Sequence, residues 1–473
     1  MRQTSPSSPP PLSTEHNGRS VGLFVDHPLR DLPGLVLTAW RACQQGVACY
    51  LIPANLATSE LWRLDPRFVL ANYLRLNNQR FVKHMLDSGL GLGVLDSEGS
   101  VFSYFDEYSF TLADDKRVRD HIACYCAWTP AFAQYASHNG WYRADQIVVT
   151  GPPRADFYSD PWRQVACDIA RQLFGDYPEP LILVNGSFPL VNPCFQSREQ
   201  EAELMVRFSY DRGFVEKWQN IQCEAMEGMV RMVNHLARTF PNVTFIYRPH
   251  PFEGDEYYKN ELARTSNLHL VKKGTVDSWL VRAKALIHWG SSTALDANLL
   301  GLPALTPGWL PVHLPVPVLD AVTHRIENLE EMVQEIARVS GAPRQGQAAH
   351  PKIERERSET VFFKCDGQAH ERVANAVVRA LDEMPRRTAG QRSRFWLNSF
   401  RWFCRNTAKT WVRRHHKVTP RSWAKSEKFF DAQLVSTYLA RIEDVASNRL
   451  GSEPIRVQAR QNGFSIVVAP ARA

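Results

Sequence analysis

Two short stretches constrain this chain more than any other feature. Each is a run of β-forming residues that stops abruptly in polar side chains. The first is Phe245-Ile246-Tyr247 leading into Arg248-Pro249-His250-Pro251. The second is Ala285–Trp289 leading into Gly290-Ser291-Ser292-Thr293 and on to Asp296. Short apolar runs bounded by turn signals fit buried strands of a parallel sheet. After the second run a helix is expected over Ser292–Leu300, closed by Gly301 with Pro303 just beyond. Ligands of open parallel sheets bind outside the carboxyl ends of the strands, which is where both polar clusters fall.

The residue types at those ends suit phosphate. A Gly-Ser-Ser-Thr run opening a helix offers backbone N–H groups, hydroxyls and the positive end of a helix dipole. Arg248 can grip a phosphate at two points. His250 can donate a hydrogen bond or a proton to a departing phosphate oxygen. Each cluster alone has a plainer reading, the prolines as turn stiffeners and Ser291–Thr293 as a helix cap. Together, on adjacent strands, they point to one shared phosphate site comprising Arg248, His250, His288, Gly290, Ser291, Ser292 and Thr293.

The chain of 473 residues suits two or three domains, and 44% hydrophobic with 22% charged residues is ordinary for a globular protein. No apolar run approaches the ~18 residues of a membrane span. Residues 1–20 carry no apolar segment and are expected to be a disordered leader, with the protein in the cytoplasm. The nine cysteines are scattered and fit no zinc or redox spacing, so they are expected to be reduced and mostly buried. The net charge of +7 is local. Pro385–Lys428 holds thirteen Lys and Arg against the single acid Glu427, a segmental +12, which leaves −5 for the rest.

Taken in order, Val21–Val25, a helix over Leu35–Gln45 and Val47–Ile52 form a βαβ unit, with Arg30 and Asp31 at the first strand's end. Phe68–Ala71, Asn78–Asp87 and Gly91–Leu95 repeat it. The glycines of Gly89–Gly93 lead into a strand, not out of one, which excludes a dinucleotide fingerprint. Asp96-Ser97-Glu98-Gly99 follows a strand and puts a carboxylate towards the same crevice. Gly151–Arg154 is the expected hinge between a first domain, 21–155, and a second, 156–384. The second opens on Leu181–Val184, ending in Asn185-Gly186-Ser187, small polar residues able to approach a ligand. Residues 385–450 are expected to be a basic amphipathic helical segment. Its Arg401, Arg405, Lys409 and Arg413 lie at four-residue steps beside aromatics, which suits an anionic membrane surface through 385–428 or packing onto the body. No nucleic-acid motif accompanies it. Residues 451–473 read as a tail or a lone strand.

The two α/β halves resemble the GT-B glycosyltransferases. R-P-H-P followed by H-x-G-S-S-T is similar to the bacterial surface carbohydrate biosynthesis proteins and their relatives, the capsule Kdo transferases, polysialyltransferases and CDP-glycerol glycerophosphotransferases. Arg30-Asp31, Asp96-x-Glu98-Gly99 and Thr150-Gly151-x-Pro153-Arg154 occur in the expected order. The resemblance implies two Rossmann-like domains facing a cleft, and transfer of a sugar from a nucleotide donor, first of all Kdo or another CMP-activated sugar, to a surface glycan or lipid-linked acceptor. It implies nucleotide contacts from Arg248, His250, Ser291–Thr293, Asn185 and Ser187, and Asp296 facing the ribose or orienting His250. Glu98 becomes the candidate base or nucleophile, with Arg30 and Asp31 on the acceptor side. No metal or separate cofactor is needed. The alternatives are a glycerophosphotransferase, a nucleotide-sugar epimerase and a non-catalytic scaffold of a polysaccharide assembly complex.

Overall fold

The computed structural model describes residues 18–97, 99, 105–175, 177–207, 210–311, 316–341, 361–415, 428–450 and 455–471. Two sheets dominate. The first is built from β1 (Ser20–Val25), β2 (Ala48–Pro53), β3 (Phe68–Ala71), β4 (Gly91–Val94), β5 (Cys124–Ala127) and β6 (Ile147–Val149), all parallel. The second is wholly parallel: β7 (Leu181–Asn185), β8 (Thr244–Arg248), β9 (Leu268–Leu270), β10 (Ala285–His288), β11 (Ala304–Pro307) and β12 (His324–Ile326). Most of these strands are fully buried, as a sheet covered on both faces requires. The result is the two-lobed α/β architecture that the sequence pattern predicts, GT-B-like as the resemblance implies.

Each sheet has a switch point, where the strand order leaves the first strand in both directions. In the first sheet it lies between β1 and β3, and in the second between β7 and β10. Crevices open there at the carboxyl ends.

The first lobe is completed from the far end of the chain. The helix Ala369–Glu383 lays Val373, Val377 and Leu381 against Leu35, Val36 and Trp40 of the helix Leu32–Gln44. Asp156 secures its start: the backbone N–H groups of Ala369 and His370 and the His370 Nδ1–H donate to its carboxylate at 2.9, 2.8 and 2.7 Å. The helix Ala432–Leu450 adds Val435, Leu439 and Ile442 to the same core. The residues expected as a tail form a hairpin, β13 (Val457–Asn462) and β14 (Ser465–Pro470), and β14 pairs antiparallel with β2. The alternation in Ile466-Val467-Val468 is too short to announce a partner hundreds of residues away. For the same reason 369–383, placed with the second domain from its position in the chain, packs with the first.

The glycine run has a packing role. A Cβ on Gly91 would lie 2.0 Å from Met384 Sδ and 2.4 Å from the Phe68 ring. The chain end that crosses back to the first lobe needs that slot. In the basic helix Ala389–His415, Phe395 is buried against the first lobe while Trp396, Leu397 and Phe400 are exposed. The side chains of Arg405, Lys409 and Arg413 lie outside the described residues, as does most of 385–428 beyond His415. No described helix is long and apolar enough to cross a membrane.

Candidate active site

A cleft of about 330 Å³ runs between the lobes. Arg248, His250, Ser291, Ser292, Thr293, Asn185 and Asp296 line it from the second lobe, and Asp26, His27 and Arg30 from the first. The two clusters singled out in the sequence therefore share one space.

Arg248 closes β8 and is buried, with Nη2 donating to the Gly274 carbonyl at 2.6 Å. Burial lowers its pKa to about 10, partly offset by the charge of Asp277, so it stays cationic at neutral pH. His250 is held by its own turn. Its backbone N–H donates to Glu253 Oε1 at 2.8 Å, and its Nδ1 accepts the Phe252 N–H at 3.2 Å. An acceptor at Nδ1 leaves the proton on Nε2. Burial first, then the charges of Arg248, Arg30 and Lys272, depress its pKa to about 4. His250 is thus neutral at pH 7 and offers a hydrogen bond from Nε2.

Glu253, which the sequence reading passed over, is what fixes this turn. It is fully buried, accepts also from Phe188 N at 3.0 Å and from the Tyr258 hydroxyl, and so ties the loop after β7 to the loop after β8. Burial raises its pKa. Its signal was an acid three residues after a strand-end His-Pro.

The loop after β10 is a hydroxyl chain. Asn185 Nδ2 donates to Thr293 Oγ1 at 2.9 Å across the β7–β10 switch point, and Thr293 Oγ1 lies 2.8 Å from Ser291 Oγ. Gly290 turns the backbone at φ +60°, which a side chain there would strain. His288 does not reach the cleft. It is fully buried, its Nδ1 accepting the Ser291 N–H at 3.3 Å and its Nε2 3.2 Å from the Thr323 hydroxyl. Since that hydroxyl donates to the Leu319 carbonyl, His288 donates from Nε2 and braces the turn from beneath. Ser187 is half-buried and absent from the lining, where Gly186 takes its place.

Asp296 has a different partner from those expected. Arg154 Nη1 sits 3.1 Å and the Tyr158 hydroxyl 2.8 Å from its Oδ1, so that oxygen is held by Arg154 and Tyr158 and does not orient His250. The carboxylate is 1% exposed and ion-paired with Arg154 of the segment that leads out of the first sheet. Asp277, another buried carboxylate lining the cleft, has its pKa raised by burial to about 6. It too was missed, because a lone Asp early in a short helix carries no sequence signal.

On the first lobe the structure repeats the His-Pro device. His27-Pro28 follows β1 as His250-Pro251 follows β8. The His27 backbone N–H donates to Asp31 Oδ2 at 3.0 Å, and its Nδ1 accepts the Leu29 N–H at 3.2 Å. Burial, then Arg30 and Lys428, depress its pKa to about 4. Its Nε2 is buried with no hydrogen-bond partner among the described residues. The Phe252 ring stands between the two imidazoles, 5.3 Å from His250 and 6.0 Å from His27. Arg30 lines the cleft with Nη2 on Asp26 at 2.7 Å and Nε on Asp31 at 2.9 Å, whereas Asp31 is consumed in holding Arg30 and His27. Glu98 lies outside the described residues.

The fold and site together define a two-lobed α/β protein with a cleft at its strand ends lined by three arginines, two histidines and three aspartates. Among solved structures it is similar to a putative UDP-N-acetylglucosamine 2-epimerase from Listeria monocytogenes, at 14% identity over 78% of this chain and 98% of that one, TM-score 0.47. It is also similar to the UDP-GlcNAc 2-epimerase of Methanocaldococcus jannaschii, at 10% identity over 76% and 99%, TM-score 0.47. The wall teichoic acid polymerase TagF aligns at 10% identity over 78% and 90%, TM-score 0.49. No protein-family model and no curated protein matches the sequence.

Proposed function

We propose that the cleft binds a nucleotide-activated sugar by its phosphate and that the protein transfers the glycosyl group to a glycan or lipid-linked acceptor held on the first lobe. The observation that carries this reading is the convergence of Arg248, His250 and the Ser291–Thr293 hydroxyls on one cleft, opposite His27 and Arg30. Departure of the nucleotide leaves negative charge on a phosphate oxygen. Arg248 supplies a desolvated cation there, and His250 Nε2–H and the hydroxyls supply fixed donors. Preorganised donors in a water-poor site stabilise such charge strongly. With a pKa of about 4 in the empty cleft, His250 meets the incoming phosphate as a neutral imidazole that donates a hydrogen bond from Nε2. His27, held in the same tautomer, presents a second donor from the acceptor side.

CMP-Kdo or another CMP-sugar is the first choice of donor, on the strength of the sequence motifs. The exposed Trp396, Leu397 and Phe400 on the basic helix support contact of that segment with an anionic membrane surface. Calorimetry on the full chain with CMP, UDP and CDP tests the donor site. Micromolar binding of one nucleotide, lost in Arg248→Ala, is the expected result. Absence of binding by all three overturns the reading. His250→Ala is expected to abolish transfer and leave the fold intact.

A further inference from the structure

A second, smaller pocket opens at the other switch point, between β1 and β3 of the first sheet. Phe24, Leu70 and Leu95 form apolar walls. Its volume is about 40 Å³. A water needs about 10–15 Å³ on this measure, so the space suits roughly three or four non-hydrogen atoms. Trp128 and Asn72, 3% and 6% exposed, also line it, and both carry an unmet demand: Trp128 Nε1 and Asn72 Nδ2 are buried with no hydrogen-bond partner among the described residues. Buried donors are normally paired. Two around one small space call for an acceptor atom that a ligand supplies.

The charges narrow the ligand. Asp31 and Asp96 line the pocket, and Asp96 is held by Arg75 Nη2 at 3.2 Å and the Tyr108 hydroxyl at 3.2 Å. The pocket's cation, Arg154, has its Nη1 on Asp296. With Asp31 and Asp96 already in ion pairs and Arg154 held by Asp296, the lining offers an incoming carboxylate no uncommitted cation, and a hydroxymethyl group would leave the apolar walls uncovered. An acetamido group meets every feature. Its carbonyl accepts from Trp128 and Asn72, its N–H faces carboxylates, and its methyl packs on the leucines.

We propose that this pocket receives the N-acetyl group of an acetamido sugar, the terminal residue of the acceptor. The assignment rests on the reading of the first lobe as the acceptor side. Arg154 lines both the pocket and the larger cleft, so a sugar anchored by its acetamido group has its ring at the cleft mouth.

Saturation-transfer NMR on the full chain with methyl N-acetylglucosaminide, against methyl glucoside, tests this. The expected result is binding of the acetamido sugar alone, with the strongest transfer at the acetyl methyl. Trp128→Phe keeps a ring and deletes the N–H, and weakens binding about tenfold. Asn72→Leu does the same by removing the other donor, should the first variant not fold. Equal binding of the two sugars, no binding of either, or unchanged affinity in both variants overturns the proposal. Nucleotide calorimetry separates the two readings: His250→Ala and Arg248→Ala leave acetamido-sugar binding unchanged, and Trp128→Phe leaves nucleotide binding unchanged.

Discussion

His27 and His250 show how a residue's chemistry is set by its neighbours. Both imidazoles accept a local backbone N–H at Nδ1, both are crowded by cations, and both have pKa values near 4. The unfolded chain binds protons at these sites below pH 6.5, and the folded one does so only near pH 4. Stability is therefore full above pH 6.5 and falls as pH drops towards 4. For His27 the loss is at most ~3.5 kcal/mol, from about 1.4 kcal/mol per pKa unit. His27→Asn, whose amide oxygen can replace Nδ1 as acceptor, is expected to flatten that fall, measured by urea denaturation at pH 4.5 and 7. Asp277 works in the opposite direction on binding. Its charge acts on Arg248 and its pKa is about 6. Ionised, it opposes an anionic ligand, so Asp277→Asn should tighten nucleotide binding several-fold at pH 7.5 and have little effect at pH 5. Calorimetry at the two pH values reads this directly.

At the level of elements, the first sheet depends on chain far away in sequence. Gly91→Ala places a methyl into Met384 and Phe68 and is expected to cost about 1–3 kcal/mol, the usual range for overpacking, by denaturant titration. Removing 455–473 strips β14 from β2 and turns β2 into a bare edge with Ile466 and Val468 no longer covering the core. That truncation should lose soluble monomer on size exclusion, which a dispensable tail would not. For the basic helix, co-sedimentation with anionic liposomes should fall when Trp396, Leu397 and Phe400 are replaced together by Ser.

Across the whole molecule, Arg154 joins everything. It pairs with Asp296 of the second lobe, lies over Trp128 and Phe362, and borders both pockets. Arg154→Ala strands the buried Asp296 carboxylate, at a cost of about 3–5 kcal/mol by denaturation, and Asp296→Asn added to it should recover part of that. The sequence by itself determined the alternating strands and helices and the strand-end placement of Arg248, His250 and Ser291–Thr293. These are local: periodicity, Gly and Pro signals, and polar residues at the ends of apolar runs fix them. Only the tertiary structure decided the pairing of Asp296 with Arg154, the sinking of His288 beneath its turn, the service of Glu253 and Asp277, and the return of 369–383, 432–450 and 457–470 to the first lobe. Each of these depends on contacts between residues remote in the chain. Burial, which alone makes a carboxylate or an imidazole unusual, is a property that no local stretch of sequence carries.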